Sequence, residues 1–348
     1  MSDEGGYAGA MREAIALARL SQAPPAVNPR VGCVILAVDG SVVGRGFTGP
    51  TAGAPHAEVA ALADAGDRAR GATAVVSLEP CRHVGRTGPC TSALIEAGIS
   101  RVVFAQPDPT ADAGGGAGVL VAAGIEVLGG VLAADAAALN VPWAFYAAHG
   151  RPLVTWKCAV SLDGRVAGAD GGPTAITGEQ SRAAVHLLRA EVDAIIVGTG
   201  TVLADDPRLT VRGVDGVSGA IPLRVVVGSR AIPADARVRD GSAATLFLAD
   251  RDPAGVLAVL GERGVRHALL EGGPTLATAF LAAGLIDRID WFIAPVLLGA
   301  GPVALPGPLG RGPSGSRAGR PGVAVESVSV VGEDVRVVGA IRYEPREG

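Results

Sequence analysis

The chain has 348 residues, 49% of them hydrophobic and 18% charged, with a formal net charge of −4. That length exceeds one comfortable core and predicts two domains, and the balance excludes a disordered chain. A small negative charge gives no bulk attraction to nucleic acid or to an anionic membrane. Basic charge is almost all arginine, Lys157 being the only lysine. Cysteines at 33, 81, 90 and 158 are too few for a disulfide framework, which predicts a reducing, cytoplasmic setting. Met1-Ser2-Asp3-Glu4 lacks the basic-then-apolar build of a signal peptide. Trp291 to Gly310 is uncharged over a membrane-spanning length, but four prolines and four glycines exclude a continuous helix there. A soluble protein is expected.

Tyr7 to Leu20 carries apolar residues at helical spacing. Asn28-Pro29 breaks the chain before an apolar strand, Val31 to Val38, the Asp39-Gly40 turn and a returning strand, Ser41 to Phe47. Pro55 to Ala65 reads as a helix with proline in its first turn, so His56 and Glu58 stand at its N-terminus. Ala72 to Leu78 is a β-rich run that delivers Glu79-Pro80-Cys81. A second helix opens at Pro89 and runs through Gly98, with Cys90 in its first turn, where backbone N–H groups favour a thiolate. Strand Arg101 to Ala105, a short helix after Gly114-Gly115-Gly116, strand Ile125 to Leu128 and a helix from Ala133 to about Ala148 follow. The alternation predicts a three-layer α/β domain over residues 1–149.

His56, Cys81 and Cys90 are ligands of the kinds zinc takes tetrahedrally, and three protein ligands leave a position for water, as in catalytic sites. Glu58, two residues from His56, can face that position and carry protons, while zinc lowers the pKa of bound water to about 7. Each piece alone is weak. A His-x-Glu on a helix is usually an ordinary pair, and a lone cysteine a small buried hydrophobe. Order and placement at element ends together point to a catalytic zinc site. The order resembles that of the zinc deaminases, H-x-E followed by P-C-x-x-C, except that eight residues, Arg82 to Pro89, separate the cysteines here.

Gly150-Arg151-Pro152 is a breaker, and a second domain is expected over residues 150–348. Pro152 to Val160 is an apolar strand followed by the tight-turn sequence Ser161-Leu162-Asp163-Gly164-Arg165. A helix from Thr177 to about Ala190, a buried strand, Val192 to Gly198, and a short helix, Thr199 to Asp206, come next. After Leu209 to Arg212 come strands at Leu223 to Val227, Ala244 to Leu248 and His267 to Leu270. Glu271-Gly272-Gly273-Pro274-Thr275-Leu276 opens a helix to about Ala283. Such a junction either cradles a pyrophosphate or simply makes a tight turn. Gly198-x-Gly200 lacks the third glycine of a dinucleotide fingerprint. Trp291 to Leu297, Ala324 to Val331 and Val335 to Tyr343 read as closing strands, and Gly307 to Pro321 as a loop.

Three stretches resemble the deaminase half of the bifunctional riboflavin-biosynthesis deaminase/reductases: Asn28-Pro29-Arg30-Val31-Gly32-Cys33, His56-Ala57-Glu58-Val59, and Leu78-Glu79-Pro80-Cys81 through Pro89-Cys90. A longer loop between the cysteines is usual in that family. Ser161 through Arg165, Thr201 through Arg212 and Glu271 through Leu276 resemble the reductase half. The resemblance implies a cytidine-deaminase-like α/β domain followed by a dihydrofolate-reductase-like α/β domain. It implies one zinc ion per chain, NADPH, and a phosphoribosylated diaminopyrimidine deaminated at C2 and then reduced from ribosyl to ribityl.

By the same resemblance Glu58 is catalytic, Asn28 helps to hold the pyrimidine, and Arg86 and Thr87 meet phosphate or ribose, with His83 either at the substrate or solvated. Cofactor contacts are implied at Ala159, Ala175, Thr201, Asp205, Ser229, Gly273, Pro274 and Thr275. Substrate contacts are implied at Arg189, Leu209, Arg212 and Glu271, and two arginines suit a phosphate monoester. A homo-oligomer, dimer or tetramer, is implied too. The family usually has a tryptophan in the stretch that reads Pro173-Thr174-Ala175-Ile176-Thr177 here, so a deaminase with a weakened reductase is an alternative. A nucleobase or tRNA deaminase with an inactive appendage, and a structural zinc module that binds a nucleotide as regulator, are the others.

Overall fold

The computed structural model describes residues 4–21, 28–49, 53–83, 88–172, 174–213, 221–307 and 321–343. The chain divides into two units, Met1–Gly150 and Arg151–Gly348.

In the first unit, chain order is α1 (Glu4–Leu20), β1 (Gly32–Leu36), β2 (Val42–Phe47), α2 (Ala57–Ala65), β3 (Thr73–Leu78), α3 (Cys90–Glu96), β4 (Arg101–Gln106), α4 (Gly116–Ala122), β5 (Glu126–Gly129), α5 (Ala133–Ala137) and α6 (Val141–His149). The sheet runs β2-β1-β3-β4-β5, with β1 antiparallel to both neighbours and the rest parallel. Successive strand residues face opposite ways. Cys33 and Ile35 therefore pack with Ala61, Leu94 and Leu120 from α2, α3 and α4, while Val34 and Leu36 pack with Met11, Ile15 and Ala136 from α1 and α5. Helices thus cover both faces, giving three layers. The helix expected from Ala133 to Ala148 is instead two, divided at Asn140. That side chain accepts from Arg30 N–H at 2.8 Å and donates to the Arg30 carbonyl at 2.9 Å. Pro142 then occupies the first turn of α6, where a missing N–H is tolerated.

The second unit follows β6 (Leu153–Ser161), α7 (Glu179–Ala190), β7 (Ala194–Gly198), α8 (Thr199–Asp205), β8 (Leu223–Val227), β9 (Thr245–Leu248), α9 (Pro253–Glu262), β10 (His267–Leu270), α10 (Pro274–Ala282), β11 (Arg288–Ala294), β12 (Gly322–Val331) and β13 (Asp334–Arg342). Its sheet order is β12-β13-β11-β6-β10-β7-β8-β9. The six strands from β11 to β9 are parallel, so their carboxyl ends share one edge. Helix α9 has no counterpart in the sequence reading. Asp252 caps it, accepting from Gly255 N–H at 2.9 Å, and Pro253 opens it. β11 begins three residues before the expected Trp291, because Arg288 already pairs with Thr155, and it ends before Pro295. Leu209 to Arg212 forms neither helix nor strand, and Leu209 takes a left-handed φ of 52°. Asp334, buried at the start of β13, accepts from Gly178 N–H at 2.8 Å and from the Ser181 hydroxyl at 2.5 Å, capping α7 from the far end of the sequence.

Among the described residues no helix is long and apolar enough to cross a membrane. All four cysteines are free thiols.

Candidate functional site

In the first unit three segments converge. His56 is the residue before α2, in extended backbone; Cys81 follows β3; Cys90 is the first residue of α3. The turn after β3 is fixed by buried Glu79, which accepts from Asp108 N–H at 3.0 Å and Ala117 N–H at 2.8 Å. Gly116 makes this possible, since a Cβ there would stand 1.8 Å from the Pro80 carbonyl oxygen. The Cys81 carbonyl accepts from Thr91 N–H at 3.2 Å, tying the two thiol-bearing segments together.

His56 Nδ1 consequently lies 3.2 Å from Cys90 Sγ and 3.6 Å from Cys81 Sγ. All three ligand atoms fall within 4.8 Å of one another, and no other such cluster occurs among the described residues. Tetrahedral zinc, with ligands at about 2.0–2.3 Å, holds them roughly 3.5 Å apart, so one imidazole and two sulfurs at this spacing fit zinc. The Cys90 thiol, the His56 ring and the Cys90 backbone N–H, 3.4 Å from Cys81 Sγ, hold the Cys81 thiol down to about 4. The helix-end N–H thus serves Cys81, whereas the sequence reading assigned that stabilisation to Cys90. The Cys81 side chain and burial push Cys90 upward. Hydrogen bonding to Cys81 raises His56. Glu58, only 4% exposed, is pushed up to about 7 by burial.

Asn28 lies half-buried ahead of β1, on a segment pinned by the Asn140 clamp at Arg30 and by the Thr48 hydroxyl donating to the Pro29 carbonyl at 3.1 Å. Among the described residues it makes no hydrogen bond to the triad. His83 is half-buried, its Nδ1 without a partner. Arg86 and Thr87 lie outside the described residues.

In the second unit a cavity of about 1090 Å³ runs along the carboxyl ends of the parallel strands, where open α/β sheets bind ligands. Its wall includes Ala159, Ala175, Thr201, Asp205, Ser229, Gly273, Pro274, Thr275 and Glu271. Gly273 N–H donates to Thr201 Oγ1 at 3.1 Å, joining the turns before α10 and within α8. Arg189 reaches Glu271 with two bonds, Nε to Oε1 at 2.6 Å and Nη2 to Oε2 at 2.8 Å, and a third goes to the Thr210 carbonyl. Three of its five N–H groups are then used, and Arg189 is not itself on the cavity wall but meets it through Glu271. Burial alone would raise Glu271, but Arg189, with Lys157 and His186 behind it, holds that carboxyl below its usual range. Leu209 and Arg212 do not line this cavity. They border a separate depression of about 320 Å³, and Arg212 N–H donates to His186 Nδ1 at 3.2 Å. At the position of the usual tryptophan the wall offers only exposed Ala175.

Sequence reasoning gave no role to the three cations on that wall, Lys157, Arg230 and Arg251. Lys157 was visible as the sole lysine of the chain. The arginines follow β8 and β9 and look like surface charge until the strand order is known.

A family model for the cytidine and deoxycytidylate deaminase zinc-binding region matches residues 7–106, and one for the RibD C-terminal domain matches residues 152–335. The riboflavin biosynthesis protein RibD of Mycobacterium tuberculosis strain H37Rv is 53% identical over 278 residues, 79% of this chain and 81% of that protein. A solved structure of Acinetobacter baumannii RibD (form 2) has a TM-score of 0.87 at 35% identity, covering 98% of this chain and 100% of that one. The Thermotoga maritima diaminohydroxyphosphoribosylaminopyrimidine deaminase/5-amino-6-(5-phosphoribosylamino)uracil reductase has a TM-score of 0.85 at 31% identity, covering 99% and 100%. With a deaminase half and a reductase half matched in one chain and in the same order, the protein belongs to the RibD family of bifunctional riboflavin-biosynthesis enzymes.

Proposed function

We propose that residues 1–149 deaminate 2,5-diamino-6-(5-phosphoribosylamino)pyrimidin-4(3H)-one at C2, with Glu58 as the proton carrier, and that residues 150–348 reduce the ribosyl chain of the product. The enzyme is a deaminase and an NADPH-dependent reductase that uses zinc. The observation that carries the first assignment is the triad gathered within 4.8 Å with buried Glu58 two residues beyond His56. Zinc held by His56, Cys81 and Cys90 supplies a Lewis acid that makes water nucleophilic at neutral pH. Glu58, buried beside the triad, can take the water's proton and pass it to the ring nitrogen, then take the proton of the new C2 hydroxyl and pass it to the amino group, which leaves as ammonia. Burial keeps bulk water from competing for that proton.

In the second site NADPH supplies a hydride to the ribosyl carbon. Arg189 and Glu271 brace each other and orient the phosphorylated substrate, with Arg212, on the neighbouring depression and sharing His186 with Arg189, as a second guanidinium. Asn28 in the first site holds the pyrimidine. Lys157, on the cavity wall and close enough to Glu271 to lower it, offers the accompanying proton. Ala159, Ala175, Thr201, Asp205, Ser229, Gly273, Pro274 and Thr275 seat the cofactor. A homo-oligomer is supported by edge strand β12, where a bulge keeps Val323, Val325, Val328 and Val330 on one exposed face. A cytoplasmic setting is supported by four unpaired thiols.

The test follows ammonia release from the diaminopyrimidine and NADPH oxidation separately. Glu58→Gln is expected to cut ammonia release about 10²- to 10⁴-fold, to retain zinc, and to oxidise NADPH normally when the deaminated pyrimidine is supplied. Undiminished ammonia release in that variant would sink the assignment.

A further inference from the structure

Strands β10, β7, β8 and β9 are consecutive neighbours in the sheet. At about 4.8 Å per strand, the carboxyl end of β8 stands roughly 10 Å and that of β9 roughly 14 Å from Glu271 at the end of β10. On the reductase reading above, Glu271, with Arg189 bonded to it, and Lys157 mark the end of the cavity where the substrate reacts. The Gly273 turn before α10 suits a pyrophosphate. A dinucleotide laid along the strand ends from that reacting end carries its adenosine half toward β8 and β9.

At that far end the wall is cationic. Arg230 follows β8 by three residues, Arg251 follows β9 by three, and both line the cavity. Arg230 Nε donates to Thr199 Oγ1 at 3.4 Å, and its Nη2 would stand 2.4 Å from a Cβ at Gly200, so the guanidinium lies against the first turn of α8. Neither arginine has a carboxylate within ion-pair distance among the described residues. The acids flanking Arg251 are engaged elsewhere: Asp250 accepts from Asp252 N–H at 3.0 Å, and Asp252 caps α9.

A strand end that selects NAD carries a carboxylate for the ribose 2′-hydroxyl. Here β8 is followed by Gly228, with φ of 128°, and Ser229. Among the described residues the carboxylates on the wall are Glu271, already paired with Arg189, and Asp205, six positions beyond Thr199 and so about 9 Å further along α8. Two guanidinium groups without carboxylate partners match a phosphate monoester in charge and hydrogen-bond geometry.

Resting on the reductase reading above, we propose that Arg230 and Arg251 receive the 2′-phosphate of the cofactor and set the preference for NADPH over NADH. The test is calorimetric titration of the full-length, zinc-loaded protein with 2′,5′-ADP and 5′-ADP, and with NADPH and NADH. The wild type is expected to bind each 2′-phosphorylated ligand about tenfold or more tightly than its partner. Arg230→Ala and Arg251→Ala each weaken 2′,5′-ADP and NADPH by about tenfold and leave 5′-ADP and NADH unchanged, while Arg230→Lys keeps part of the preference. Circular dichroism and zinc content equal to wild type show that the variants fold. Equal weakening of both ligand sets, or of neither, overturns the proposal: the first makes the arginines pyrophosphate contacts, the second makes them solvated charge. A wild-type protein that binds neither NADPH nor NADH overturns the reductase reading and this proposal together.

Discussion

In the first unit the chemistry lies between His56 and Cys90, and the ligand atoms meet within 4.8 Å. In the second, one cavity draws its wall from residues between Trp156 and Ala304. The metal site is local: two helix starts and one strand end, each supplying one donor. The cofactor site exists only because a parallel sheet lines up the ends of distant strands. A local site concentrates its dependence on each ligand, and a distributed one spreads it.

The largest expected effect tests that concentration. Cys81→Ser should strip zinc, read by elemental analysis, and lower ammonia release at least about 10²-fold. NADPH oxidation with supplied deaminated pyrimidine should persist. Loss of both activities would show that the halves are not separable in this way. An intermediate effect is expected in the second unit. Glu271→Gln removes the counter-charge and leaves one acceptor for the two Arg189 bonds of 2.6 Å and 2.8 Å, and should lower kcat/KM for reduction roughly 10- to 100-fold with deamination intact. A change below about twofold would remove the pair from the substrate site.

The smallest effect concerns the framework. Burial holds His267 down to about 4 from 6.5, and its Nε2 bonds the Thr155 hydroxyl at 2.8 Å between β10 and β6. The unfolded chain takes up this proton below pH 6.5 while the folded one refuses it until about pH 4. Stability from this group is therefore present above pH 6.5 and lost as pH falls toward 4. His267→Gln should remove roughly 1–3 kcal/mol of that acid dependence, seen as a flatter melting-temperature difference curve. Parallel curves for variant and wild type would rule this out.

The zinc triad was legible because a histidine and two cysteines are chemically distinctive and each sits where an element begins or ends. The wall of the second cavity was legible only through resemblance to known motifs. Ala159, Thr201 and Gly273 have no side-chain chemistry that announces a cofactor, and their meeting depends on sheet order. Arg230 and Arg251 were invisible for the opposite reason, since arginines at strand ends are ordinary in solvent. Local pattern also missed what distant partners decide. Asn140 splits α5 from α6 because Arg30 claims its amide, and Leu209, a residue type that seldom turns left-handed, does so at φ 52°.

The cap that Asp334 places on α7 reaches across 156 positions, whereas the Arg30–Asn140 clamp of the first unit spans 110. On a ribosome, Gly178 would leave the exit tunnel long before its carboxylate partner was even translated. β6 would likewise wait with bare edges for β10 and β11. The deaminase half can close while its companion is still being made. The nascent reductase, holding an unfinished sheet, is the stage at which chaperones have most to shield.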